Sequence, residues 1–322
     1  MGCVTLGLTA YGTVDQGFGN FALNIGVEGM VTLTAIAVIG PLVRSNQEGI
    51  FRFHPSLNYR RFLEQTEQAR RQVQILTTFT PLLQEGYAER FLLNVRRLLR
   101  SQVQVEVLVA NPDSLTMQQR QRELAVRGDD VMGGIHENIQ TLHRFVSELP
   151  AEEAAHLSVR IYDASASVIM HRWDDRSLIS FLPTDRLAEE GSHLEIPMNS
   201  PIGAFVEARY SELWSDAATI SLDEFMTTRL TLLGDGRPGT PLAGHYVTVD
   251  GAVFVASPGI IAAQALHRER ALQVHDGSAA YDVVVLDPDD TENHGQLLAA
   301  FRRKYGKIDL HTLVRLHRTD EG

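Results

Sequence analysis

From about residue 58 to residue 217 the chain alternates between two hydrophobic periods. Val73-Gln-Ile-Leu-Thr-Thr-Phe79 is an apolar run ending before Pro81, and it predicts a strand. Tyr87 to Leu99 puts Phe91, Leu92, Val95, Leu98 and Leu99 near one side of a helical repeat, which predicts an amphipathic helix. Val103 to Ala110 predicts a second strand, stopped by Asn111-Pro-Asp-Ser, with Ser114 placed to cap the next helix. That helical region runs to Leu149 and is expected to break around Gly133-Gly134. Leu157 to Tyr162 predicts a third strand. Val168–His171 and Leu178–Leu182 predict a strand pair turning at Asp174-Asp175. Ser200-Pro201 opens a helix to about Trp214, with serine at the cap and proline at the first position. Alternating strands and helices define an α/β domain.

After Ala217 the pattern becomes mainly β. Thr227–Leu233 predicts a strand, and 234–239 a loop. His245–Val249 and Ala252–Ala256 flank Asp250-Gly251, a pair that favours a tight hairpin turn. Residues 261–271 predict a helix, and Leu272–His275 and Tyr281–Leu286 predict strands. His294–Tyr305 predicts an amphipathic helix and Thr312–Leu316 a last strand. The 322 residues therefore divide into an N-terminal segment 1–57, an α/β domain 58–217 and a mainly-β domain 218–322.

Phe21 to Val43 is nearly continuous apolar sequence, interrupted by Asn24 and Glu28. As a helix it spans ~34 Å, enough for a bilayer core of ~30 Å. No Lys or Arg precedes Arg44, whereas Arg44, Arg52, Arg60 and Arg61 come after it. That asymmetry places the two larger domains on the cytoplasmic side of a membrane. The alternative is a buried strand over the β-branched stretch Val31–Ile39.

A net charge of −11 argues against a nucleic-acid-binding surface, so no nucleic acid is expected as partner. Lys304 and Lys307 are the only lysines, so nothing earlier supplies a Schiff-base or phosphate-loop lysine. Cys3 is the only cysteine, which excludes an intrachain disulfide and cysteine-based zinc sites, and no metal site is expected. His136 and His143 lie two helical turns apart, too far to share a metal easily, and are expected at the surface. Arg302, Arg303 and Lys304 are expected on a solvated helix face.

The strand, amphipathic helix and strand ending in Asn111-Pro-Asp113 resemble the first half of a phospholipase D-like repeat. Arg160-Ile-Tyr-Asp163, His171, Asp174-Asp175, Ser200–Phe205 and Glu212-Leu-Trp214 are similar to its later part. The resemblance covers ~160 residues. It implies the fold of bacterial regulators and membrane-bound proteins, and a histidine that attacks phosphorus beside a lysine that binds the phosphate. His171 matches the histidine, but Trp173 occupies the lysine position. The resemblance thus implies a phosphate-binding pocket of Asn111, Arg160, Tyr162, Arg172 and Arg176 around His171, with a nucleotide or phospholipid headgroup as ligand.

Gly236-Arg-Pro-Gly-Thr-Pro241, the hairpin from Tyr246 to Ala256 and Phe301-Arg-Arg-Lys-Tyr-Gly306 resemble the split β-barrel of the pyridoxamine-phosphate-oxidase-like group. That group binds FMN or deazaflavin, usually as homodimers. His245, Ser257 and Arg268 are the positions at which such a cofactor is expected. Three readings stay open: a membrane-anchored binding or regulatory protein, a flavin-dependent oxidoreductase, and a phosphodiesterase using His171 with arginines in place of lysine.

Overall fold

The computed structural model describes residues 51–56, 58–84, 86–124, 130–181, 187, 191–233, 238–266, 272–276, 279–287, 294–306 and 312–319. The apolar segment 21–43 and Arg268 lie outside the described residues. Among those described, no helix is long and apolar enough to cross a membrane.

The first part is an eight-stranded mixed sheet. Its centre is β2 (Gln72–Thr77), β3 (Gln104–Ala110) and β4 (Leu157–Tyr162), which run parallel. Parallel neighbours need crossovers, supplied by α2 (Ala88–Arg100) and by α3 (Leu115–Leu124) with α4 (Val131–Ser147). Two right-handed crossovers in the same direction put α2 and α4 on one face. α1 (Tyr59–Thr66) packs beside α2 on that face. From β2 the sheet continues antiparallel through β5 (Val168–Trp173), β6 (Arg176–Phe181), β7 (His193–Pro197) and β1 (Arg52–His54). α6 (Pro201–Ser215) covers the opposite face. The short strand β8 (Ile220–Ser221) closes the far edge beside β4.

The core shows why these segments fold this way. Phe62, Leu63, Phe91, Leu98, Leu99, Ile135 and Ile139 project from α1, α2 and α4 onto Val73, Ile75, Val105, Val107 and Val109 of the sheet. α2 and α6 stand close to their predicted bounds. α6 begins where serine and proline set it: the Ser200 hydroxyl accepts the Gly203 amide, with proline in the first turn. Ser114 likewise accepts the amide of Met117.

Several expectations are corrected. α4 runs unbroken through Gly133-Gly134. Asp130 caps it by accepting the Gly133 amide, and a Cβ on Gly134 would stand 3.2 Å from the Phe79 ring. Those glycines serve the cap and a close approach, not a break. α1, β1 and β7 were not anticipated, because they are short or carry charges at buried positions. β8 and α7 (Leu222–Met226) also belong to the sheet and its core, so the second part begins at β9 (Thr228–Leu233), later than expected.

The second part is a closed barrel of β9, β10 (Pro238–Val249), β11 (Ala252–Ala256), β12 (Gln273–His275), β13 (Ala280–Val285) and β14 (Leu313–Arg318), in the order β10-β11-β14-β13-β12-β9. Asp250 and Gly251 both have positive φ, 49° and 76°, as the Asp-Gly pair requires for a tight hairpin turn. α8 (Pro258–Leu266) adds Ile260 and Ala263 to the barrel interior. α9 (Gly295–Tyr305) packs on β10 and reaches α4.

Candidate functional site

Side chains alternate across the sheet, so neighbours on β5 face opposite layers. His171 faces α1. Its ring meets Tyr59 and Phe62 edge-on, with centroids 5.9 and 5.2 Å away. The residue is 1% exposed, and neither ring nitrogen has a hydrogen-bond partner. Burial, with the nearby His193 second, pushes its pKa down to about 3, so the ring is neutral at ordinary pH. Trp173, at the position where the resembling family has lysine, is also buried on this face against Phe62.

Two strands along, β7 carries a carboxylate that attracts most of the nearby basic groups. Glu195 accepts from Arg61 Nε (2.7 Å) and Nη2 (3.1 Å) and from Arg176 Nε (2.9 Å). His54 Nε2 stands 3.4 Å from its second oxygen. Side-chain exposure is 1% for Glu195 but 17, 26 and 32% for His54, Arg61 and Arg176. Burial raises the Glu195 pKa, but the hydrogen bonds and charges of Arg61 and Arg176 outweigh it, so the net shift is downward. The matching hydrogen bond raises that of Arg61. His193 completes the cluster; its Nδ1 donates to the Gly191 carbonyl (2.8 Å). Burial and then His54 lower its pKa, against the opposing pull of that carbonyl. Arg61, His54 and Glu195 were not anticipated. The sequence signal available was Arg61 at helical spacing from Asn58, the N-cap of α1.

Arg172 faces the other way, under α6. It donates to Gln74 Oε1 (2.8 Å), pairs with Glu207 and bonds the Asp174 carbonyl (2.9 Å). Gln74 passes the chain on to Glu106 (2.8 Å), which also accepts the Tyr210 hydroxyl (3.1 Å). Burial, then Glu106, raises the Tyr210 pKa. An open cleft of about 570 Å³ lies here, lined by Arg71, Arg172, Asp174, Asp175 and Glu207. Its carboxylates outnumber its cations, so it does not suit an anion. Asp174, at φ 48°, turns its carboxylate onto the amides of Arg70, Arg71 and Gln72.

The remaining expected ligand residues lie apart from both groups. Arg160 donates to the carbonyls of Trp214 and Thr219 and stacks over Trp214. Tyr162 is fully buried, its hydroxyl on the Thr77 carbonyl (3.3 Å), and burial raises its pKa. Asn111 holds Asp163 (3.3 Å) and accepts the Asp113 amide (2.9 Å) beyond the end of β3. The structure therefore puts Arg176 and His171 on one face of the sheet but Arg172 on the other, and Asn111, Arg160 and Tyr162 at or near β3 and β4. They do not form one pocket.

In the barrel, Ser257 is fully buried. Its hydroxyl donates to the Ala243 carbonyl (3.0 Å) and accepts from the Ile260 amide (3.4 Å). His245 stacks on Tyr305 with centroids 4.5 Å apart. Ser257 is thus spent on backbone groups. Lys304 is 3% exposed, not solvated, with its ammonium 3.8 Å from the Tyr246 ring centroid and 4.2 Å from that of Phe225. His136, expected at the surface, is 6% exposed.

The molecule is therefore an α/β protein in which a mixed eight-stranded sheet is joined to a closed six-stranded barrel. Among the described residues no group of three or more His, Cys, Asp or Glu side chains is placed to hold a metal ion. No known sequence family matches the chain, and no curated protein does. Among solved structures it is similar to TrmBL2, a DNA-binding archaeal chromatin protein, at 11% identity and TM-score 0.32 over 61% of this chain and 64% of that one. It is also similar to the phosphatidylserine synthase of Haemophilus influenzae Rd KW20, at 15% identity and TM-score 0.34 over 53% of this chain and 39% of that one. The chain thus spans less than two thirds of either protein.

Proposed function

We propose that this chain is a binding protein for a phosphate-bearing ligand, held at a membrane by segment 21–43, and that it does not hydrolyse that ligand. The observation that carries the reading is the charge balance around Glu195. Two guanidinium groups and an imidazole converge on one carboxylate, and the basic groups, not the carboxylate, reach solvent. Among the described residues Arg176 bonds Glu195 through Nε, and its two Nη nitrogens find no acceptor, so donors remain for a planar or tetrahedral oxyanion. The burial of His171 supports the second half. A nucleophile must reach phosphorus, and this ring lies beneath Tyr59 and Phe62.

Thermal unfolding at low salt tests the reading, with inorganic phosphate, a nucleoside monophosphate and short-chain phosphatidic acid as probes. At least one probe raises the melting temperature of the full chain. Arg176→Gln removes that shift and Arg172→Gln keeps it. Absence of any shift in the parent, or a full shift in Arg176→Gln, contradicts the proposal. A nucleotide or a lipid source is distinguished by which probe acts beyond inorganic phosphate alone.

A further inference from the structure

The seam between the sheet and the barrel contains the one described lysine, and its surroundings are unusual for an ammonium. Phe225 of α7 comes from the sheet side; Tyr246 of β10 and Tyr305 of α9 come from the barrel. Among the described residues no carboxylate stands within ion-pair distance of Lys304. The aromatic faces and the more distant charge of Asp113 offset part of the lost hydration, but a buried cation without a carboxylate in contact remains costly. A second polar group is stranded nearby: His136 of α4 has a buried Nδ1 without a hydrogen-bond partner. Besides the ion pair of Arg229 on β9 with Asp223 on α7 and the Tyr246 hydroxyl on the Glu224 carbonyl (3.5 Å), the polar bonds that fasten the seam centre on Tyr305 and Gln140. The Tyr305 hydroxyl accepts the Tyr246 amide (2.9 Å) and lies 3.0 and 2.8 Å from the Met226 and Tyr246 carbonyls. Gln140 of α4 donates to the Arg303 carbonyl (2.7 Å).

We infer that this seam is a hinge built to open, with Lys304 as the group that sets its equilibrium. In the closed arrangement the ammonium is stripped of water and unpaired. In an open arrangement it regains water or an anionic partner. Protonation of Lys304 therefore favours opening, and loss of the proton favours closure.

The neighbouring groups leave Lys304 alone in the alkaline window. Burial, opposed by Asp113, lowers its pKa to about 8. Facing it from α4, burial lowers His136 to about 4 and lowers His143 below its ordinary value, with Asp223 of α7 opposing the latter. On β10, burial lowers His245 and raises Tyr246; on α9, burial raises Tyr305. On His136, Asp113 and Asp130 act against burial, while Arg303 and Lys304 add to it. The histidines are thus neutral and the tyrosines protonated between about pH 7 and about pH 9.5. Over that interval the closed form loses its proton before the open form does, so opening diminishes as pH rises.

Hydrogen exchange of the full chain, corrected for intrinsic rates, reads the opening at the Tyr246 amide and along α9. In the parent, opening falls about tenfold or more from about pH 7 to about pH 9.5. Lys304→Met, which cannot carry charge, opens rarely at both values. Lys304→Arg, which cannot lose its charge, opens readily at both. Equal opening of the parent at the two pH values overturns the inference, as does the parent's pH dependence surviving in either variant.

Discussion

His171 shows how far a residue's chemistry depends on what covers it. A neutral imidazole has one N–H and one lone pair, and here both are buried without partners. Replacing it by a similar-sized apolar group removes two unsatisfied polar atoms. His171→Leu is therefore expected to raise stability at neutral pH by about 1 kcal/mol in urea titration. The sign with pH comes from its folded pKa lying below its unfolded one. The unfolded chain takes the proton first, so stability is lost as pH falls from about 6.5 towards 3. His171→Leu removes that part of the acid loss. A variant less stable than the parent at neutral pH, with the same acid profile, contradicts this account.

Glu195 behaves in the opposite manner. Its depressed pKa gives stability that is present above the ordinary carboxylate range and lost as pH falls through its folded value. Glu195→Gln keeps the shape but leaves Arg61 and Arg176 facing each other. A loss of about 1–2 kcal/mol is expected at neutral pH, discounted because both arginines reach solvent. The loss narrows in acid, where the parent's own carboxylate is protonated. His171 was legible as a candidate from its sequence neighbours, but the pocket expected to join it to Arg172 does not form, because successive residues of a strand face opposite layers. Its burial was not legible, because the helix that seals it, Tyr59–Thr66, is short and carries three charged residues.

At the scale of elements, turns and caps were the most readable features. The Asp250-Gly251 turn is dictated by backbone sterics alone, and so is its test. A Cβ on Gly251 meets nothing within 4 Å, so Gly251→Ala costs only the positive φ, about 1 kcal/mol by thermal unfolding. Gly203 is different. A Cβ there would stand 2.5 Å from the Met198 carbonyl oxygen, which forces α6 away from the end of β7. Gly203→Ala should therefore cost clearly more than Gly251→Ala, and equal costs would argue against the packing described. Elements of two to five residues, such as β1, β7, β8 and α7, were not readable. Their positions come from partners distant in sequence, as in the pairing of His54 with His193.

At the scale of the whole molecule, the α/β order of the first part and the β order of the second were both visible in the hydrophobic periods. The point at which one gives way to the other was not, because Leu222–Met226 reads as easily into either part and is claimed by the larger core. The seam was also hidden. Lys304 comes after two arginines on an amphipathic helix, and nothing local distinguishes the one that turns inward. Tyr305→Phe deletes the hydroxyl that joins β10 to the Met226 carbonyl. It is expected to raise hydrogen exchange at Tyr246 while leaving exchange in β2 and β3 unchanged; acceleration throughout the sheet would show that the two parts unfold as one.

The proposal of a binding protein rests most on the cover that Tyr59 and Phe62 form over His171. Hydrolysis of bis(p-nitrophenyl) phosphate by the full chain, beside His171→Leu, measures this directly. The expected result is no release of nitrophenol above buffer by either protein. Steady turnover by the parent that disappears in His171→Leu would mean that the layer over His171 opens to admit a phosphodiester, and the binding-protein reading would fail.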